Sequence, residues 1–300
     1  MKNDEKKKFL DTNIKNKSKS VEERIQLLKF NGNDLPLPTE IEISESGTCN
    51  RKCSFCPRSD PNFVDKKEFI SDKLHKKLCL ELKELNYSGT IRYSGFVEPL
   101  LDKNIFNLIK MARENLHNCN IEMVTNGDVL NLTRLRKLFK SGLNKILISV
   151  YDGEEDVKKF ELLCKEAKLD EKEYIIRHRY LSEDDDFGIT LSNRSGLMEN
   201  AEYKIESLKN PLTKPCYIPS YTFFLDYQGD VLMCPHDWGK KIILGNLNRE
   251  KFLNIWFSKK FMKIRENLNN SKRNFKPCNV CDVEGTFMGK KNSEYFDLVK

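Results

Sequence analysis

From Thr39 onward, short apolar runs alternate with longer stretches whose apolar residues recur every three or four positions. The short runs predict strands at Glu40–Ser44, 91–94, 121–125, Lys145–Val150, 174–180 and 187–191. Between most of them the spacing predicts helices. Ser71 is placed to cap one that carries Leu74, Leu78, Leu82 and Leu85 on one face. Asn104 is placed to cap a second, with Ile105, Leu108, Ile109 and Ala112, and residues 132–139 and 157–167 supply two more. Such repetition implies parallel β/α units joined by right-handed crossovers. About six units are too few for a closed barrel of eight. The pattern therefore predicts an α/β fold, a partial (β/α)6 TIM-like barrel over residues 37–210.

A second period runs inside the strands. Glu40, Glu42, Arg92, Glu122, Arg177 and Arg179 alternate with Ile41, Ile43, Ile91, Tyr93, Ile121, Met123 and Ile176. Strands buried on both faces would read as continuous apolar runs. These instead predict an apolar outer face under the helices and a charged lumen suited to a polar ligand. Near Asn210-Pro211 the alternation stops. Thr222–Asp226 and 231–234 flank Tyr227-Gln228-Gly229-Asp230 as a hairpin, and 249–268 reads as an amphipathic helix or helix pair. A polar tail ends the chain, so residues 211–300 are expected to form a second, smaller domain. Ahead of the barrel, residues 1–36 are basic. Here 1–20 are expected to be disordered and 21–30 to form a short docking helix.

Composition narrows the setting. Charged residues make up 32% and the mean hydropathy is −0.60. No run of 18 apolar residues exists, so no membrane span is expected, and the lysine-rich start lacks the apolar core of a secretory signal. Of the net charge of +7, the first 20 residues contribute +4, seven Lys against Asp4, Glu5 and Asp11. That reads as a solvated basic tail, with no nucleic-acid partner expected. Ten cysteines in such a chain point to thiolate chemistry in a reducing, cytoplasmic setting.

Three of those cysteines, Cys49, Cys53 and Cys56, are spaced C-x3-C-x2-C directly after the first barrel strand, at the sheet end where α/β ligand sites lie. Iron–sulfur clusters are normally held by four thiolates, so three predict a [4Fe–4S] cluster with one iron left open. Zinc would need a fourth ligand, and no His or further Cys is near. Cys216, Cys234, Cys278 and Cys281 form a complete second set, with a zinc ribbon as its alternative. Cys79, Cys119 and Cys164 stand alone beside apolar residues; buried, inert thiols are expected, the alternative being a hydrogen-atom donor. Asn126 and Ser149 close strands and could line a cofactor or cap turns. Arg177 or Arg179 could meet a carboxylate, or pair with Glu122 or Glu42. Arg194 is the candidate substrate-facing cation. His236 and Asp237 are candidate proton acceptors or supports of the second cysteine set, against a plain loop-surface reading.

The first cysteine motif, the turn Ser94-Gly95-Phe96-Val97-Glu98-Pro99 and the pattern C-x12-G-x4-C…C-x2-C together resemble the radical S-adenosylmethionine (SAM) superfamily with a short SPASM or "twitch" C-terminal domain. The resemblance covers residues 39–281. It implies that SAM chelates the open iron and is cleaved to methionine and a 5′-deoxyadenosyl radical. Phe55 would pack on the adenine. Gly95 and Glu98 stand in the superfamily's "GGEP" turn, which meets the SAM amino group, though Phe96 and Val97 break its glycine doublet. Ser149 would touch the ribose, and Arg177 or Arg179 the SAM carboxylate. The second set would hold an auxiliary [4Fe–4S] cluster that moves an electron. In outline the chain is similar to single-auxiliary-cluster dehydrogenases of sugars and aminocyclitols. There a hydrogen atom leaves the carbinol carbon, a base takes the hydroxyl proton, and the electron passes to the auxiliary cluster, leaving a ketone. The implied partners are a small polar substrate or a peptide, and an external donor such as flavodoxin or ferredoxin. A redox-neutral epimerase, a peptide-modifying enzyme and a non-catalytic electron carrier are the alternatives.

Overall fold

Asp11 accepts from the backbone N–H groups of Asn13 (2.6 Å) and Ile14 (3.2 Å), which caps helix α1 (Thr12–Glu23). The computed structural model describes residues 11–199 and 205–298. The expected disorder therefore fails over α1, while residues 1–10 of the basic tail lie outside the described residues. The docking helix expected at 21–30 is also corrected. Asn31 and Gly32 take positive φ and turn the chain, so β1 (Leu27–Phe30) pairs antiparallel with β2 (Asn33–Pro36).

The barrel strands follow. They are β3 (Glu40–Ser44), then the small antiparallel pair β4 (Ser46–Gly47) and β5 (Lys66–Phe69), then β6 (Thr90–Tyr93), β7 (Asn120–Thr125), β8 (Lys145–Val150) and β9 (Tyr174–His178). Between them lie α2 (Asp72–Glu84), α3 (Ile105–Asn115), α4 (Leu132–Lys140) and α5 (Glu154–Glu166). Strands β3-β6-β7-β8-β9 are parallel neighbours in that order. Ser71 caps α2 through Leu74 N–H (3.2 Å), as its position predicts. Asn104 does not cap α3 with its side chain, because its amide donates to Asp72 instead (2.6 Å).

The alternation within the strands sorts as expected. Ile41, Ile43, Ile91, Tyr93, Ile121, Met123, Ile146 and Ile148 join the buried apolar core with Leu78, Leu108, Leu135 and Phe160 from the helices. Each such side chain contributes about 1.5–3 kcal/mol on burial. On the other face, register sets Glu42, Arg92 and Glu122 in one row. Arg92 there donates to both Glu40 and Glu122.

The strand expected at 187–191 does not form. Leu191 N–H is taken by the Glu183 carboxylate (2.8 Å), and Arg179 folds back onto Gly188 O, so that backbone is spent locally. The sixth parallel strand comes from the other side. It is β10 (Thr222–Asp226), which lies parallel to β3, after the short helix α6 (Ile218–Tyr221). Strands β11 (Asp230–Leu232) and β12 (Ile243–Asn246) extend it antiparallel. The smaller C-terminal region thus continues the barrel's sheet, whose edges β9 and β12 stay apart. Helices α7 (Phe252–Trp256) and α8 (Lys259–Asn269) form the expected pair. The polar tail is instead α9 (Lys290–Asp297), held because buried Arg265 stacks on Trp256, Phe261 and Phe296 at 3.7–4.2 Å. No helix among the described residues is long and apolar enough to cross a membrane.

Candidate active site

Cys49, Cys53 and Cys56 sit on the loop after β4 and line a cavity of about 160 Å³ at the C-terminal ends of β6, β7 and β8. Arg51 fixes that loop. Its guanidinium forks between the carboxylates of Asp128, beyond β7, and Asp152, beyond β8, and lies over the Tyr151 ring. Asn50 adds a bond to Asp128 (2.6 Å) and accepts from the Asn126 amide (2.8 Å). Burial pushes the Cys53 thiol up to about 11. Phe55 lines the same cavity against Tyr151, with ring centroids 5.6 Å apart.

The glycine turn comes next. Gly95 has φ +97°, and a Cβ there would lie 2.9 Å from the Phe224 ring, so only glycine passes under β10. Glu98 is buried and accepts from Thr125 Oγ1 (2.6 Å), Asn126 N–H (2.7 Å) and Leu100 N–H (3.0 Å). It ties the turn to the end of β7. Burial raises its carboxyl to about 7 against the hydrogen bonds that favour the ion.

Ser94, Gly95, Tyr151, Arg194 and Trp238 also line a second cavity, of about 490 Å³, which occupies the charged lumen. Arg177 lies in it, donating to Ser149 Oγ, with its Nε buried and unpartnered; burial and neighbouring Arg179 lower it to about 9. Arg179 donates to Thr190 Oγ1 (3.0 Å) and stands 4.0 Å from Asp11. Neither arginine pairs with Glu122 or Glu42, the partners the sequence offered. Arg194 is the junction. It lines both cavities with a buried, unpartnered Nε. Its loop is clamped to the last cysteine pair by Asn193, which donates from its side-chain amide to Val280 O (2.6 Å) and from its backbone N–H to the Asp282 carboxylate (2.8 Å).

Cys216, Cys234, Cys278 and Cys281 are all buried, and Arg273 pins the surrounding backbone by donating to Lys214 O, Pro215 O and Val283 O. None of the four lines either cavity, although His236 and Asp282 beside them do. His236 presents a buried Nδ1 without a partner, and burial lowers its imidazole to about 3. Asp237 differs from the expectation of a proton acceptor. Its carboxylate accepts from Lys241 N–H (2.9 Å) and Ile242 N–H (2.8 Å), and it lines neither cavity.

Backbone N–H groups point at a sulfur in each set, from Arg51 to Cys49 (3.5 Å), His236 to Cys234 (3.4 Å) and Val283 to Cys281 (3.5 Å). Such donors suit cluster-bound thiolates. Among the described residues no three Cys, His, Asp or Glu side chains converge enough to hold a single metal ion. Three and four thiols with backbone N–H groups aimed at their sulfurs are donor sets whose chemistry fits iron–sulfur clusters. Cys79, Cys119 and Cys164 lie in the outer apolar core, away from both cavities. Sequence reasoning missed the Arg51 fork and Tyr151. Both had a signal, since Arg51 stands inside the first cysteine motif and Tyr151 directly follows β8.

An open parallel sheet with three thiols at its carboxyl edge and four sealed behind it defines an iron–sulfur enzyme class, and the comparisons agree. The sequence model of the Radical SAM superfamily matches residues 43–191, and that of an iron–sulfur cluster-binding domain, SPASM, matches 216–282. The chain belongs to the radical SAM superfamily and carries a SPASM domain. It is 29% identical over 248 residues to the S-adenosyl-L-methionine-dependent 2-deoxy-scyllo-inosamine dehydrogenase of Niallia circulans, covering 81% of this chain and 94% of that protein. It also resembles the crystal structure of BtrN in complex with AdoMet and 2-DOIA (TM-score 0.71, 26% identity, 86% of this chain and 98% of that one). A GTP 3′,8-cyclase of Mesorhizobium japonicum is 27% identical over 133 residues, 43% of this chain and 39% of that protein.

Proposed function

We propose that the protein is a radical SAM dehydrogenase that oxidises a secondary alcohol of a small polar ring, a sugar or aminocyclitol, to a ketone. The observation that carries this reading is a charged lumen that adjoins the cavity of the first cysteine set and is bordered by His236 and Asp282 beside the second, with Arg194 lining both cavities. Cys49, Cys53 and Cys56 would hold the SAM-binding [4Fe–4S] cluster, and Cys216, Cys234, Cys278 and Cys281 the auxiliary one. Together these groups supply a radical that takes a hydrogen atom from the substrate and a sink for the remaining electron.

The chain's own residues do the rest. Arg51 and Asn50 hold the first cysteine loop against β7 and β8. Phe55, Gly95, Glu98, Asn126 and Ser149 shape the SAM pocket, and Arg177 holds the Ser149 hydroxyl from the lumen side. Arg194 Nε and His236 Nδ1, both buried and unpartnered in the lumen, are the candidates to bind the substrate oxygen and to accept its proton. Asp237 braces the His236 loop. An external reductant such as flavodoxin or ferredoxin would supply the priming electron, in a reducing compartment such as the cytoplasm.

Epimerisation needs a thiol to return a hydrogen atom, and Cys79, Cys119 and Cys164 all lie outside the lumen. Anaerobic turnover in deuterated water with 2-deoxy-scyllo-inosamine and related sugars tests the reading. A ketone free of deuterium is expected; deuterium on one carbon of an unoxidised product would contradict it.

A further inference from the structure

Helix α1 lies before residue 43, outside both family matches, and the dehydrogenase match covers 94% of that relative but only 81% of this chain. This segment is built into the lumen. At one end Thr12 donates to Asp186 from its backbone N–H (2.7 Å) and hydroxyl (2.8 Å), and Asp11 faces Arg179 just beyond β9. At the other end Ser18 Oγ donates to Phe287 O (3.1 Å) and Glu22 pairs with Lys291 of α9 (3.0 Å). Midway, Lys17 reaches the buried Glu40 of β3 (2.9 Å). A helix of this length spans about 18 Å. It therefore bridges the gap that the open sheet leaves between β9 and the C-terminal region.

Two adjacent side chains on this bridge face the lumen. The Asn13 side chain has no hydrogen-bond partner among the described residues, and half-buried Ile14 belongs to no apolar cluster. Both line the large cavity, and neither lines the small one at the cysteine loop. The same cavity holds the buried, unpartnered Nε atoms of Arg177 and Arg194 and Nδ1 of His236. Native interiors seldom leave such groups unsatisfied, so a polar ligand is the natural partner.

We propose that α1 is the substrate-specificity wall of the lumen. Asn13 hydrogen-bonds a hydroxyl or amine of a small polar ring, Ile14 packs on its C–H face, and the bridged helix excludes peptide chains. An amide both donates and accepts, which suits a ring bearing hydroxyl and amino groups alike. A peptide strand entering from this side would have to break the bonds at both ends of α1. This deepens the aminocyclitol reading and rests on it for the choice of probe.

The test uses the full-length, cluster-loaded protein with SAM. Hydrogen exchange on the wild type is expected to show α1 amides protected, and calorimetry with 2-deoxy-scyllo-inosamine to show about a tenfold weaker Kd in Asn13→Ala. Ile14→Trp, which fills the wall, should lose binding altogether, while iron content and SAM affinity stay at wild-type values in both. Free exchange along α1, unchanged ring affinity in both variants, or turnover of a peptide by the wild type would each overturn the wall. Protected α1 in a wild type that binds neither this ring nor related sugars upholds the closed wall and instead sinks the aminocyclitol reading.

Discussion

The two cysteine sets differ in what surrounds them more than in what they are. Cys49, Cys53 and Cys56 are half-buried, ride one loop and line a cavity. Cys216, Cys234, Cys278 and Cys281 are buried, come from three separate segments and touch neither cavity. A set of three thiolates beside open space leaves a coordination position and the room to use it. Four thiolates sealed in a core leave neither, so the second set is suited to moving electrons only. The loop holding the first set is pinned by one salt-bridged arginine, Arg51, whereas the second is pinned by backbone carbonyls gathered on Arg273.

Breaking each side should therefore have a different signature. The largest effect is expected from Cys53→Ala, which should abolish 5′-deoxyadenosine formation, measured by chromatography, and leave the iron of the second set in place. Cys278→Ala should retain 5′-deoxyadenosine but lose ketone product, with the converse loss of iron. Glu98→Gln sharpens the comparison through pH. The folded pKa of about 7 stands above the ordinary carboxyl value of 4.5, so the folded state holds the proton that the unfolded chain releases between those limits. That stabilisation is complete below 4.5 and is lost as pH rises through 7, about 3 kcal/mol in all. The unfolding free energy from urea titrations should fall across this window in the wild type by that much more than in Glu98→Gln. The smallest effect is expected from Arg51→Lys, which keeps the charge but loses the fork. Iron should leave the first set about tenfold faster under a chelator, with the second set unchanged.

Much of this was legible in the chain. The β3 and β8 boundaries, the Ser71 cap and the charged lumen follow from period-two alternation, because one face of each strand must meet the helices. The strand expected at 187–191 fails because the Glu183 carboxylate and Arg179 compete for its backbone, which no apolar pattern reports. The N-terminal helix was hidden by its lysines. Its stability comes from the Asp11 cap and from partners as distant in sequence as Asp186, Phe287 and Lys291. The cysteine spacings announced both sets, but only the folded chain shows that β10 carries the second region onto the barrel's own sheet.

The account stands most directly on where SAM binds. The measurement is electron–nuclear double resonance with SAM labelled in its amino nitrogen and carboxylate oxygens, on reduced protein. The Cys278→Ala/Cys281→Ala variant, with only the first set loaded, should show coupling of the label to its cluster. The Cys49→Ala/Cys53→Ala/Cys56→Ala variant should show none. Coupling in the second variant, or its absence in the first with the cluster intact, would contradict the assignment of the open iron to Cys49, Cys53 and Cys56.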